Sequence, residues 1–150
     1  MRLIAALILA LAGGTATAQT PFATFERASD PVLSDPHDLA FGPDGKLYVA
    51  DKFANRIVIL DPGTLEITGV VADGQLPNVH DISFGPDGTS YVAVTGASAV
   101  VVFGWEDGKM AFRDVLRPFP RTEGVLAHSS GRFYVMSSAT GELLRMEGTD

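Results

Sequence analysis

His37-Asp38-Leu39-Ala40-Phe41-Gly42-Pro43-Asp44-Gly45 returns 43 residues later as His80-Asp81-Ile82-Ser83-Phe84-Gly85-Pro86-Asp87-Gly88. Ten of the fourteen positions in 37–50 are identical in 80–93, with no gap. A degraded third copy starts after the same interval, at Glu123-Gly124-Val125-Leu126-Ala127-His128-Ser129-Ser130-Gly131. A unit this short cannot bury its own apolar face, so successive copies must stack on one another. The period also brings His37, His80 and Glu123 to one equivalent position in three successive units.

Each unit reads as short strands joined by turns. In 37–41, His37, Leu39 and Phe41 alternate with Asp38 and Ala40. Gly42-Pro43-Asp44-Gly45 supplies a turn, with proline presetting one backbone angle and glycine accepting a positive one. Leu47–Asp51, Arg56–Leu60 and Glu66–Val71 follow as strands, the last two separated by Asp61-Pro62-Gly63-Thr64. Unit two repeats the pattern as Ile82–Phe84, Tyr91–Val94, Val100–Phe103 and Met110–Val115. Unit three gives Val125–Ala127, Phe133–Met136 and Leu143–Met146. Strands at this spacing, with no helical pattern after the first residues, predict an all-β chain. A four-stranded unit of this size is that of a β-propeller blade.

Phe22-Ala23-Thr24-Phe25-Glu26-Arg27-Ala28 stands 43 residues before Leu65–Val71, in the phase of a fourth strand. The blades are therefore expected at 37–79, 80–122 and 123–150. The third is incomplete, and 22–28 is its closing strand, supplied from the N-terminal side. Propellers carry about four to eight blades, so three make half of a six-bladed ring. Either the sequence is a piece of a longer one, or two copies associate head to tail as a homodimer. A lone half-ring would expose two apolar blade faces.

Residues 1–18 read as a secretory signal peptide. Met1-Arg2 is followed by an apolar run over Leu3–Ala12 and by the small-x-small pattern Ala16-Thr17-Ala18. The run is shorter than the roughly 18 residues needed to span a bilayer, and no later segment is long enough. An exported protein, periplasmic or secreted, is expected. The chain holds no cysteine, which excludes disulfides, thiolate metal sites and a lipidated cysteine. Its formal net charge of −7 argues against nucleic acid as a partner and is compatible with cations. Lys46, Lys52 and Arg56 are too few, and too mixed with acids, to hold a polyanion.

Gly42-Pro43-Asp44-Gly45, then Leu47-Tyr48-Val49-Ala50-Asp51, then Asn55-Arg56-Ile57-Val58 resembles the NHL repeat of six-bladed propellers. The resemblance covers unit one well, unit two in its first half and unit three weakly. There Asp51, Asn55 and Arg56 become Ser137, Gly141 and Glu142. Related exported propellers include the streptogramin lyases, the gluconolactonase-like proteins and the peptide-amidating lyases. In the last group zinc-binding histidines open the innermost strand in a proline-histidine-x-leucine/isoleucine setting. Pro36-His37-Asp38-Leu39 fits that setting, and Val79-His80-Asp81-Ile82 fits apart from its proline. Two departures are clear. Those histidines come from alternating blades, whereas these sit in adjacent ones, and the third unit offers Glu123. NHL repeats also serve as plain binding scaffolds, so the fold alone carries no activity.

Where the innermost strands begin, two imidazoles and a carboxylate could hold a divalent metal such as zinc or calcium, leaving one position for water. Such an ion would ionise the water or polarise a carbonyl. Asp38 and Asp81 either orient the histidines from behind or tie down the blade. Asp51, Asn55 and Arg56 are expected to organise the loop between strands two and three. Tyr48, Tyr91 and Tyr134 repeat with the period and belong to the blade core. His128 aligns with the turn glycines Gly42 and Gly85 and is expected in solvent. There is no glycine-rich phosphate loop, no Ser-His-Asp spacing that stands out and no acidic ladder of a calcium loop.

Three functions fit the sequence. The foremost is a non-catalytic module binding a small ligand or a protein partner at the channel face. A metal-dependent lyase or lactone hydrolase using His37, His80 and Glu123 is the second. The third is a half-propeller whose role is self-assembly.

Overall fold

The structure, a computed structural model, describes residues 23–117 and 119–148. The expected signal peptide and Phe22 lie outside the described residues. Eleven strands form three antiparallel meanders. Blade one is β1 (Pro36–Phe41), β2 (Leu47–Asp51), β3 (Arg56–Leu60) and β4 (Ile67–Val71). Blade two is β5 (Val79–Phe84), β6 (Ser90–Val94), β7 (Ala99–Glu106) and β8 (Lys109–Leu116). Blade three is β9 (Thr122–Ala127), β10 (Arg132–Ser137) and β11 (Leu143–Glu147). One 3-10 turn, Thr95–Ala97, is the sole helical element among the described residues. No helix there is long and apolar enough to cross a membrane.

The repeated turn behaves as its residues dictate. The Gly42 N–H donates to the Lys46 carbonyl at 2.9 Å, the Gly45 N–H donates back to Gly42, and Gly45 takes a φ of 75°. Gly85 and Gly88 repeat the pair of bonds. In blade three His128 and Gly131 do so, and the His128 ring bonds only its own turn, at Ser130.

Blade two shows why its strands carry so little polarity. Along β6, Val92 and Val94 enter the core shared with blade one, while Tyr91 and Ala93 enter the core shared with blade three. On β7, Val101 and Phe103 face blade one, and Val100 and Val102 face blade three. A strand buried on both faces needs apolar residues at successive positions, because the side-chain period is two. Aromatic pairs lock both junctions. Tyr48 meets Phe84 edge-on with ring centroids 5.0 Å apart, and Tyr91 stacks on Phe133 at 4.1 Å. Each such pair adds about 0.5–1.5 kcal/mol beyond area burial.

Side chains also reach across the junctions to backbone donors. Asp38 Oδ2 accepts from the Ile82 N–H at 3.3 Å, Asp81 Oδ2 from the Val125 N–H at 2.8 Å, and Ser83 Oγ from the Ala127 N–H at 2.9 Å. Each of these bonds therefore runs from an innermost strand to the innermost strand of the next blade.

Blade three differs from expectation on one point. Residues 23–28 form no strand, and the sheet ends at β11. Arg27 instead donates to the Gly63 carbonyl of blade one at 2.8 Å. Blade two stands between blade one and blade three, so the segment cannot serve as the outer strand of its own third blade.

Candidate functional site

Three β-bulges build the site. Pro36 pairs with Asp51 and Asp38 with Ala50, so His37 is an extra residue with no partner across the ladder. Val79 and Asp81 pair with Val94 and Ala93, which makes His80 the extra residue of blade two. In blade three Thr122 and Gly124 pair with Ser137 and Met136, and Glu123 is left over. All three candidate ligands are thus bulge residues at one register. A bulge breaks the alternation and re-aims a side chain, and such bulges are over-represented beside active sites. It also takes His37 out of the simple alternation with Leu39 and Phe41. Asp35, Asn78 and Arg121 precede the bulges by two residues and all adopt left-handed backbone, with φ of 61°, 51° and 49°.

The bulges bring the three side chains into one tier. The His37 and His80 rings lie 4.2 Å apart between centroids, tilted by 55°. Glu123 stands on the other side of His80, and its backbone hydrogen-bonds the His80 ring. Lys52 Nζ lies 3.0 Å from His37 Nε2, and Asp35 Oδ2 lies 3.4 Å from the same nitrogen and 3.6 Å from Lys52 Nζ. An ammonium can only donate, so Nε2 of His37 accepts. Burial, with the charges of His37 and Lys52, pushes the His80 imidazole below its usual range, against the opposing pull of Glu123. Hydrogen bonds from Ser138 and then Arg121, the latter at 3.1 Å, hold the Glu123 carboxyl below its usual range. No group of three His, Asp or Glu side chains among the described residues comes together around a common point. A divalent ion here would have to displace Lys52 from His37.

Asp38 and Asp81 face the next blade and not the histidines. Beyond their cross-blade bonds they hydrogen-bond each other, and burial first, then that bond, raises the Asp81 carboxyl to about 7. A proton shared between the two avoids placing two buried like charges in contact. They line a recess of about 470 Å3 with Val125, Leu126, Tyr134 and Met136. A larger cleft, of about 970 Å3, lies away from the tier, between β8 and the end of β11.

Asp51, Asn55 and Arg56 surround the loop after β2. Asp51 is fully buried, accepts from the Ser34 N–H with one oxygen and from Arg56 Nε at 2.9 Å with the other. Asn55, at a φ of 56°, accepts the Asn78 N–H at 2.8 Å. Ser98 and Gly141 hold the same left-handed register in blades two and three, and Ser98 Oγ accepts the Arg121 N–H as Asn55 does that of Asn78. This contact positions the residue that leads into each bulge.

The surroundings of the tier, Lys52, Asp35, Arg121 and Ser138, were not apparent from the repeat. The period of 43 compares like positions, whereas these contacts join unlike ones. The run of residues two before each candidate ligand was the readable signal, but Arg121 is not a residue type that announces left-handed backbone.

A family model for the NHL repeat matches residues 33–60, which span β1 to β3 and the loop that Asp51, Asn55 and Arg56 organise. The blades are those of an NHL-type β-propeller. Solved propellers superpose on most of the chain at low identity, which speaks to the fold alone. The luciferin-regenerating enzyme has a TM-score of 0.61 and 18% identity, with 77% of this chain and 46% of that one covered. Virginiamycin B lyase from Staphylococcus aureus has a TM-score of 0.52 and 15% identity, with 78% and 42% covered. The PE-PGRS family protein PE_PGRS18 of Mycobacterium tuberculosis is 38% identical over 45 residues, which is 30% of this chain and 10% of that protein. The chain spans less than half the length of each of these relatives. In NHL-type terms, the bulge tier lies where the innermost strands of three consecutive blades begin.

Proposed function

We infer that the chain is an exported NHL-type binding module whose ligand site is the tier of His37, His80 and Glu123. The observation that carries this reading is the triple bulge, which presents unlike polar side chains from three blades at one height while their neighbours pack the blades. An imidazole, a carboxylate and a lysine side by side suit a small polar ligand with both donors and acceptors. A thermal-shift screen of small polar metabolites tests it. Compounds that stabilise the chain should lose their effect in the double variant His37→Ala, His80→Ala. Equal stabilisation of that variant overturns the reading.

The second reading is a metal-assisted lyase or lactone hydrolase, favoured by two imidazoles in contact beside a carboxylate. His37, His80 and Glu123 would hold the ion, which would supply a Lewis acid and an ionised water. Zinc titration by calorimetry tests it. Stoichiometric binding abolished by the same double variant supports this reading, and no binding removes it.

A further inference from the structure

Blade three has a free edge. In blades one and two, β3 and β7 pair with β4 and β8, whereas β11 has no partner on its outer side among the described residues. A free edge presents a row of unpaired N–H and C=O groups and is a ready template for another strand. Residues 23–28 are in the phase of a fourth strand, are exposed throughout, and carry Phe25 at 84% exposure. On β11 they can repeat the register of β3 with β4, in which Ile57 faces Val71, Val58 faces Val70 and Ile59 faces Gly69. That register sets Leu143 opposite Ala28, Leu144 opposite Arg27 and Arg145 opposite Glu26. Opposite charges directly across a ladder select that register.

The blade faces point to the same occupant. Leu143 is 68% exposed where Ile57 and Val100, at the same register, are fully buried. Met136 is exposed where Ala50 and Ala93 are fully buried. These form the open face of blade three. Blade one has the reciprocal face, with Leu39 and Phe41 exposed where Ile82 and Val125 are buried in blades two and three. Bringing the two faces together would set Tyr134 against Phe41, the equivalents of the Tyr48–Phe84 pair at the first junction.

We propose that a second copy of this chain docks head to tail, blade one on blade three, and adds its residues 23–28 as the fourth strand on β11. Two such junctions close a six-bladed ring with a two-fold axis, which satisfies both open faces and both free edges. The proposal stands on the edge and the faces and is independent of what the channel tier binds.

Light scattering of the purified chain should give twice the chain mass. Glu26→Arg places like charges across the new ladder at both junctions and should weaken the dimer about tenfold or more. Arg145→Glu should do the same, and the two swaps combined should restore it. A third measurement uses the absence of cysteine. Ala28→Cys with Leu143→Cys should yield an oxidised dimer on a non-reducing gel that neither single variant gives. A chain that stays monomeric overturns the proposal. So does a dimer indifferent to the charge swaps, or assembly into open-ended oligomers.

Discussion

Blade two and its two neighbours carry the same repeat, yet their equivalent positions live in different surroundings. In blade two both faces of every central strand are covered, so the alternation of β6 and β7 feeds two cores at once. Blade one has only one covered face on its innermost strand, and blade three leaves Met136 and Leu143 in solvent. The residue types barely change along this series, since apolar side chains stand at these positions in all three blades. What differs is the neighbour. A repeat therefore specifies faces that fit one another, and how much each face stabilises depends on what is stacked against it.

The sharpest way to break this comparison is to truncate one register position in two blades. Ile82→Ala, in the first junction, should cost about 2–5 kcal/mol in urea unfolding. Leu39→Ala, its equivalent on the open face, should stay within about 0.5 kcal/mol for the isolated chain. Equal losses would mean that blade one is already covered.

Next in size is the left-handed residue that organises the loop before each bulge. Asn55→Ala removes the acceptor for the Asn78 N–H and strains a positive φ, and should cost about 1–3 kcal/mol. Gly141→Ala, at the same register, should cost about 1 kcal/mol from backbone alone. Denaturation midpoints of the two variants check the ordering.

The staple between blades gives a pH signature. The Asp81 carboxyl, raised to about 7 in the fold, binds its proton more tightly there than in the unfolded chain. Its contribution is therefore complete below the ordinary carboxylate range and is lost as pH rises through about 7. Asp81→Asn can still accept the Val125 N–H and can donate to Asp38 at every pH. It should flatten the fall in melting temperature between acid and mildly alkaline pH that the native chain shows. The smallest expected effect lies at the tier. Lys52→Ala removes a charge that disfavours protonated His80, so the His80 imidazole should titrate at higher pH in an NMR titration.

The fold was legible because glycine and proline punctuate strands that alternate, and because the period keeps each strand in phase with its equivalent. The expected strands Leu47–Asp51 and Arg56–Leu60 coincide with β2 and β3. Longer strands than expected occur in blade two, where β7 and β8 extend to Glu106 and Lys109 around their tight turn. The bulges could not be read, since Pro36, Val79 and Thr122 share no residue type that marks an inserted position. Nor could the Asp38–Asp81 contact, because it joins equivalent residues of different blades and the repeat gives no hint of which side each faces. Sequence therefore pointed to the right height for the candidate site and missed the groups that tune it.

The bulges at His37, His80 and Glu123 also free three positions from the fold's own demands. Every other residue of an innermost strand must suit a neighbouring blade, but a residue outside the pleat answers to no packing partner. Histidine can stand there twice and glutamate once with the sheets beneath unaltered. The rim can thus be rewritten one residue at a time, and a different chemistry installed, on a framework that does not have to refold around the change.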